Sequence, residues 1–483
     1  MQTSKNIFYN VLLAISQVVF PLITFPYLAR TLGPSNIGVI NFAESFAKYF
    51  ILLAALGIPI YGVREIAKYA KDKSILSKTF SEIFLINLLG TFLLSIIFLG
   101  LIYFVPQLQM EKELFYWALG YFVLQIFQLE WFFTGMNQFK FIAIRSFIIR
   151  FLFIAAVFIF IHRKEDYVNY FILQLVLTIV LALLNGKKLV ELLELRAISI
   201  KTLEFKKHLK PMALLFLTIF TISVYFSLDT ILLGFLADNQ SVGYYASALK
   251  LNRLFIAVLS AVSVAMFPNL VSIYHQGLKD VFIEKIEQST FLAISISIPL
   301  VLGITLCAPE LIELLLGAHF ERTILPLQIT APLIFIISLS GIFGFQVLSA
   351  VGKDRAIFIA ALIGMLISII AAIAWVPDYK EVGAAYTILL TEFAVSLAFF
   401  LFAMKHLQVK NILSIFFKQV LGALPYILII LAFKALVPTV LLRLAVITIF
   451  ALAWFVLFQL YILPNSVYKK QLDLLQAKLF KSK

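Results

Sequence analysis

Hydrophobic residues along this chain fall into fourteen long runs that are almost free of charge, separated by short polar segments. A bilayer's hydrocarbon core is crossed by about 20 apolar residues in a helix. Runs of this length therefore predict fourteen transmembrane helices. They lie near residues 7–29, 38–59, 81–105, 114–134, 147–161, 168–185, 212–235, 243–266, 289–308, 326–350, 357–376, 384–404, 419–436 and 441–463.

Composition supports this interpretation. The 483 residues are 62% hydrophobic and 13% charged, with a mean hydropathy of +1.02. A soluble domain carries about 25% charged residues. We therefore predict an all-α polytopic membrane protein, in which the first run stays as a helix and is not a cleaved signal peptide.

Positive charge falls mainly on alternate sides of the predicted helices. With the amino terminus inside, the inner segments and adjoining helix ends hold 28 of the 39 lysines and arginines, and the outer ones hold 8. The positive-inside rule then places both termini in the cytoplasm. Basic loops facing anionic lipid headgroups account for the net charge of +14, so no nucleic acid partner is implied.

Several kinds of chemistry lack the residues they need. Cys307 is the single cysteine, and the five histidines have no metal-ligand spacing. No glycine-rich phosphate loop is present. We therefore expect no metal, no nucleotide or other cofactor, and no enzymatic activity, and the connecting loops are too short for a catalytic domain.

The chain shows signs of an internal duplication. Aligning Gly38 with Gly243 places Lys48 opposite Arg253, and a second alignment pairs Gly135 with Gly352. Both halves start on the same side, which predicts a parallel repeat of two six-helix lobes around a central cleft. The predicted parts are an N-lobe (1–185), a cytoplasmic linker (186–211), a C-lobe (212–404), two further helices (405–463) and a basic cytoplasmic tail (464–483). Leucine spacing in the linker and the tail predicts helices on the cytoplasmic surface.

Ionisable residues within the runs are costly. Each adds about 2.5–3.5 kcal/mol at the centre of a membrane helix, so we expect them to face water or one another. Asn41, Glu44 and Lys48 form a polar stripe along one helix, in the favourable order for a Glu44–Lys48 ion pair. Lys250 and Arg253 share one face of another helix. These residues are either structural ion pairs or part of a cavity that attracts an anion.

Three acids within the runs are candidates for ion coupling. Asp229 and Glu392 lie deep in their runs, whereas Glu130 lies near the end of its run. A desolvated carboxyl group can take up and release a proton during transport. The alternative is that these acids are structural and permanently hydrogen-bonded.

Four segments contain motifs that are informative in combination: residues 21–69 (a proline-rich helix, Arg-x-Leu-Gly and Gly-x-Arg-Glu-Ile-Ala), 130–146 (Trp-x-Phe), 229–254 and 267–270. Together they resemble bacterial polysaccharide and O-antigen flippases of the multidrug/oligosaccharidyl-lipid/polysaccharide exporter superfamily. Thr134 and Asn137 depart from the family pattern of a glutamine before the glycine and an acidic residue after it.

The resemblance implies twelve helices in two lobes plus two more, alternating access, and a polyprenyl-diphosphate-linked oligosaccharide as cargo. It also implies a cationic lumen, to which Lys48, Lys250 and Arg253 correspond by position, and Arg30, Arg64 and Arg145 more weakly. The expected setting is the bacterial inner membrane, with membrane lipids and the polysaccharide polymerase machinery as partners. A lipid II flippase, a multidrug/cation antiporter with an acidic cleft, and an integral-membrane enzyme remain the alternatives.

Overall fold

A computed structural model describes residues 2–194, 203–407, 409–463 and 467–469, and these residues form helices and turns without a β-strand. They divide into two compact units, residues 1–243 and 244–483. The prediction of an all-α polytopic membrane protein is confirmed. Nine described helices are long and apolar enough to cross a membrane, or ten if the bent pair Ala318–Thr330 and Leu333–Ser349 forms one span.

The first unit contains nine helices and the start of a tenth. They are α1 (Gln2–Ala55), α2 (Ile58–Tyr69), α3 (Lys73–Phe104), α4 (Pro106–Gln109), α5 (Lys112–Leu124), α6 (Glu130–Gly135), α7 (Phe139–Phe160), α8 (Tyr167–Leu192) and α9 (Lys206–Leu236). α10 (Asn239–His275) begins here and continues into the second unit. An apolar core of this unit lies among α2, α3, α6 and the start of α9.

The second unit contains the remaining helices. They are α11 (Lys279–Leu306), α12 (Ala308–Leu315), α13 (Ile324–Thr330), α14 (Leu333–Ser340), α15 (Asp354–Ala403), α16 (Val409–Leu436) and α17 (Val440–Leu457). Two segments of π-helix, Gly341–Ser349 and Phe458–Ile462, extend α14 and α17. A small apolar cluster joins Cys307 to α16 and α17.

Two of the longest helices each contain two of the predicted runs. α1 has non-helical torsion angles at Gly33 (φ 78°, ψ 170°), directly before Pro34. α15 has them at Lys380 (φ 49°, ψ −122°). Glycine adopts positive φ without strain, and the proline ring after it suits the first turn of a new helix. Each break coincides with the short polar segment between the two runs.

The fourth run, 114–134, was predicted as one continuous helix, and this was wrong. α5 ends at Leu124, a turn of 3₁₀ helix covers Gln125–Gln128, and Leu129 has a φ of 51° before α6 begins. The freed carbonyls of Phe127 and Gln128 both accept hydrogen bonds from Asn185 Nδ2, each at 2.8 Å. A break at membrane depth is tolerated where protein side chains satisfy the backbone in this way.

The linker also differs from its prediction. Residues 186–192, expected to begin a separate surface helix, continue α8 as far as Leu192. Leu189 and Leu193 pack against the core of the first unit, which fixes this extension to the protein. α9 then begins at Lys206, six residues before the predicted span. Residues 195–202 of the linker and the predicted tail helix around residues 472–479 lie outside the described residues.

Two features agree with an internal duplication. A Cβ atom on Gly38 would collide with the carbonyl of Asn239, which lies four residues before Gly243. A Cβ atom on Gly243 would collide with the carbonyl of Pro34, which lies four residues before Gly38. This reciprocal close approach of α1 and α10 joins the two glycines that the sequence alignment pairs. Helices in membranes approach closely where small residues meet.

For the second alignment, which pairs Gly135 with Gly352, the structure shows the matching turn two residues after Gly135. Asn137 has a φ of 55° and its N–H donates to the Thr134 carbonyl at 2.9 Å, two residues before α7 begins. Gly352 has a φ of 71° and its N–H donates to the Ser349 carbonyl at 3.2 Å, two residues before α15 begins. Asn137, rather than Gly135, therefore has the local backbone conformation of Gly352.

Candidate functional site

The polar stripe on α1 has the predicted ion pair. Lys48 Nζ lies 3.3 Å from Glu44 Oε2, and Glu44 Oε1 accepts from Gln174 Nε2 at 2.7 Å and from the Tyr170 hydroxyl at 3.3 Å. Asn41 instead donates to its own helix, at the Ile37 carbonyl (2.7 Å). Glu44 is thus held by α8, whereas the Lys48 side chain keeps 59% of its surface exposed.

On α10, the neighbouring polar residues Lys250, Asn252 and Arg253 differ in how exposed they are. Asn252 is fully buried and its Nδ2 donates to the Thr330 hydroxyl of α13 at 2.8 Å. Arg253 is exposed and Lys250 is half-buried. The anchored Asn252 therefore fixes the rotation of α10 and leaves Arg253 on its accessible side. Arg30 and Arg64 are also exposed, at the ends of their helical segments.

Asp229 on α9 and Glu392 on α15 are both 1% exposed. The Asp229 carboxylate lies within electrostatic range of the Tyr49 hydroxyl on α1. Both side chains are therefore enclosed by protein. A role in ion coupling stays a prediction, as do the substrate roles of the basic residues.

Arg145 is surrounded by protein at the break between α5 and α6. It is 3% exposed, donates to the Asn185 side chain and to the Gln128 carbonyl (3.3 Å), and lies over the Phe133 ring, 5.1 Å from its centroid. The Glu130 carboxylate lies 4.0 Å away and is 61% exposed. These contacts favour a structural role for Arg145, which supports the broken helix together with Asn185.

Sequence analysis missed a buried polar network in the first unit. Glu82 Oε2 lies 2.8 Å from His208 Nε2 and 2.9 Å from Lys207 Nζ, and Glu82 Oε1 accepts from the Glu204 backbone N–H at 2.8 Å. His208 Nδ1 lies 2.7 Å from the Tyr61 hydroxyl. Glu82 and His208 are 0% and 1% exposed. The signal in the sequence was weak, because both residues lie at the edge of apolar runs and are 126 positions apart.

The charges around this network stabilise one another. Although partial burial lowers the pKa of Lys207, its contacts with Glu82 and Glu204 outweigh that effect and raise it. The hydrogen bond and positive charge of Lys78 lower the pKa of Glu204. The network therefore ties the last described residues of the linker and the start of α9 to α2 and α3.

Comparisons with known proteins are consistent with these features. A sequence profile of the family described as "Polysaccharide biosynthesis protein" matches residues 3–274, more than half of the chain. Two proteins named "Putative O-antigen transporter" are similar to it. The one from Escherichia coli (strain K12) is 26% identical and covers 81% of this chain and 94% of its own length. The one from Shigella dysenteriae is 24% identical and covers 81% of this chain and 98% of its own length.

Solved structures with the same fold include the lipid II flippase MurJ in an inward closed conformation. It is 16% identical, covers 94% of this chain and 98% of its own, and aligns with a TM-score of 0.70. An inward-facing multidrug transporter of the MATE family is 13% identical and aligns with a TM-score of 0.62 over 83% of this chain and 95% of its own. At these identities the likeness shows the fold alone.

Proposed function

The chain belongs to the polysaccharide biosynthesis protein family, and we propose that it is a flippase for polyprenyl-diphosphate-linked oligosaccharides. It moves these repeat units from the cytoplasmic to the outer leaflet of the bacterial inner membrane, for assembly of a surface polysaccharide such as O-antigen or capsule. The observation that carries the proposal is the similarity to O-antigen transporters over 94% and 98% of their lengths.

The chemistry of the cargo fits the accessible cations. A lipid-linked diphosphate must leave water as it crosses the membrane, and lysine or arginine side chains can replace its lost hydration. Lys48 and Arg253 are exposed on membrane helices, so their charged groups are accessible to the cargo. We assign the diphosphate to these two residues and to Lys250. Arg30 and Arg64 are secondary candidates at helix ends, and Arg145 is the weakest because it is buried.

The proposed topology has fourteen spans with both termini in the cytoplasm. Five additions to the nine apolar helices lead to that number: the bent pair, the second parts of α1 and α15, α9, and the broken α5–α6 segment. A reporter that is active only outside the cytoplasm should be silent when fused after Lys483 and active when fused after Asn239. Activity at Lys483 would refute this orientation.

A deletion strain tests the function directly. Loss of the gene should cause a lipid-linked oligosaccharide to accumulate on the cytoplasmic side, and the identity of that lipid names the cargo. Accumulation of lipid II would instead favour the alternative suggested by the fold of MurJ. Normal lipid-linked intermediates together with drug sensitivity would favour the multidrug antiporter.

Complementation of that strain tests the cationic site. Lys48→Ala and Arg253→Ala should abolish export at normal protein levels, and Arg253→Lys should retain part of it because the charge remains. Lys140→Ala is the matched control, since Lys140 is exposed and lies outside the proposed site. Normal export by both alanine variants would show that these residues do not bind the cargo.

We propose that an ion gradient drives transport through Asp229 or Glu392, with Glu130 as a third candidate. Asp229→Asn and Glu392→Gln should slow reconstituted transport and remove its dependence on an imposed pH or sodium gradient. The exposed Asp378→Asn variant should keep that dependence. Transport by the unmodified protein that ignores both gradients would eliminate ion coupling. We further propose that the polysaccharide polymerase machinery receives the flipped cargo.

A further inference from the structure

The first unit contains a partly enclosed cavity of about 340 Å³ between the end of α1, α2, α3 and the broken α5–α6 segment. Small-molecule sites in proteins have volumes of about 300–1,000 Å³, so this cavity suits a small ligand. Its polar wall consists of amide, hydroxyl and carboxyl side chains, and most of the remaining wall is apolar. The polar residues are Asn87, Thr91, Gln125, Gln128, Glu130 and Thr134.

Thr91 is the member of this wall that most clearly lacks a partner. It is 2% exposed and lines the cavity, yet its buried hydroxyl has no hydrogen-bond partner among the described residues. A threonine within a helix commonly donates to the carbonyl four residues earlier, as Thr24, Thr178 and Thr290 do here. A buried hydroxyl without a partner is unfavourable, which points to a hydrogen-bonding ligand in the cavity.

Gln125 provides a second group of the same kind. Its side chain lies close to the Tyr121 hydroxyl, yet its buried Nε2 has no partner in hydrogen-bond geometry among the described residues. The cavity wall therefore includes two residues, Thr91 and Gln125, that each have a buried polar atom without a hydrogen-bond partner among the described residues.

The broken helix holds this polar wall in place. The carbonyls of Phe127 and Gln128 are already bound by Asn185, and Arg145 adds a second bond to the Gln128 carbonyl. The backbone of the break is thereby satisfied from outside the cavity, so the Gln125 and Gln128 side chains remain on the cavity wall. Transporters commonly place substrate groups beside discontinuous helices.

The kinds of side chain present restrict the ligand. No lysine or arginine is among the described residues that line the cavity, so a diphosphate has no counter-charge there. A metal ion would find a single carboxylate, Glu130, whose side chain is 61% exposed. Amides, hydroxyls and one carboxylate are the groups that hydrogen-bond a neutral, hydroxyl-rich ring.

We propose that this cavity binds a pyranose ring of the lipid-linked oligosaccharide, with Thr91 and Gln125 hydrogen-bonding the sugar. The assignment rests on the proposed function and adds to it a sugar subsite that is separate from the residues assigned to the diphosphate. The cavity volume suits one ring of the cargo, and the rest of the glycan lies outside it.

Equilibrium binding to the full-length protein in lipid nanodiscs tests the assignment with two probes. One is a short-chain polyprenyl diphosphate carrying one N-acetylhexosamine. The other is the corresponding methyl diphosphate, which has the same charge and no sugar. Wild-type protein should bind the sugar-bearing probe more tightly, and Thr91→Val and Gln125→Met should each weaken that binding about tenfold, the size of one hydrogen bond. Neither variant should change binding of the methyl diphosphate.

Thr178→Val is the matched control, because that hydroxyl donates to the Gln174 carbonyl of its own helix and does not line the cavity. Unchanged affinity of Thr91→Val and Gln125→Met for the sugar-bearing probe would overturn the inference. An equal loss of affinity for both probes in these variants would also overturn it. The same holds if wild-type protein binds the two probes with equal affinity. Wild-type protein that binds neither probe would overturn the proposed function and the sugar subsite with it. Arg253→Ala should weaken binding of both probes equally, and this variant therefore tests the diphosphate site separately.

Discussion

The carboxylate of Glu310 gives a quantitative test of the packing in the second unit. Its Oε1 accepts from Lys434 Nζ of α16 at 2.9 Å and from Arg443 Nη1 of α17 at 3.1 Å. Ile430 and Ile447, one turn away on the same two helices, pack against Cys307. We predict that Glu310→Gln loosens α16 and α17 and exposes the Cys307 thiol.

The expected size follows from burial. The Glu310 side chain is 7% exposed, and those of Lys434 and Arg443 are 25% and 19% exposed. Removing one partner of a buried ion pair costs about 3–5 kcal/mol. Because the two cations keep some contact with water, we expect about 3 kcal/mol. At 1.4 kcal/mol for each tenfold change, this raises the population of the opened state about 100-fold.

Reaction with a maleimide measures that opening directly, since Cys307 is the single cysteine of the chain and is 3% exposed. Although burial raises the pKa of Glu310, its contacts with Lys434 and Arg443 outweigh that effect and lower it. The stabilisation is therefore fully present above the ordinary glutamate pKa of about 4.3 and is lost as the pH falls through the lowered value. Labelling at neutral pH measures the full effect.

Glu321→Gln is the control, because it removes the same charge from an exposed position in the segment after α12. Its labelling rate should match that of the wild type. If Glu310→Gln also labels at the wild-type rate, the ion cluster does not hold α16 and α17 over Cys307, and the reasoning from burial fails.

Three further predictions concern the first unit, each measured by thermal unfolding of the purified protein. Asn185→Leu should destabilise it by about 3 kcal/mol or more, because two buried carbonyls lose their donor; unchanged melting would mean that the break is satisfied differently. Glu82→Ala should cost about 3–5 kcal/mol, with part recovered in Glu82→Gln, and equal melting of the two variants would contradict a role for the His208 contact. Gly38→Ala should destabilise, whereas Gly100→Ala, with no atom within 4 Å of the new methyl group, should stabilise by about 0.4–1 kcal/mol. Similar melting of the two glycine variants would contradict the close crossing of α1 and α10.

Hydropathy located most of the helical structure because burial in a bilayer requires long apolar segments, whatever their tertiary contacts. It did not locate the break at Leu129, since residues 114–134 are equally apolar in a straight helix and a broken one. The break depends on Asn185, which lies 57 positions beyond Gln128 in the chain. The break could therefore not be predicted without knowing that residues 125–129 lie next to Asn185 in the fold.

The contacts of polar residues also differ in whether the sequence could predict them. Glu44 and Lys48 are four apart on one helix, so their spacing predicted the ion pair and the structure confirms it. Glu82 and His208 form their contact between separate helices, and neither residue has a local signal that identifies the other. Sequence therefore predicts contacts within a helix, whereas contacts between helices need the fold.

Comparison of Lys48 with Arg145 shows why burial matters for the proposed mechanism. A transport site must exchange its partner for the cargo, so its existing bonds have to be weak. The Lys48–Glu44 pair is largely exposed on the lysine side, and such pairs contribute about 0–1 kcal/mol, which a diphosphate can replace. Arg145 would have to leave buried bonds to Asn185 and a carbonyl, and its loss would also remove support from the helix break. An export defect in a Lys48 variant therefore indicates loss of cargo binding, whereas the same defect in an Arg145 variant has that meaning only if the protein melts as the wild type does.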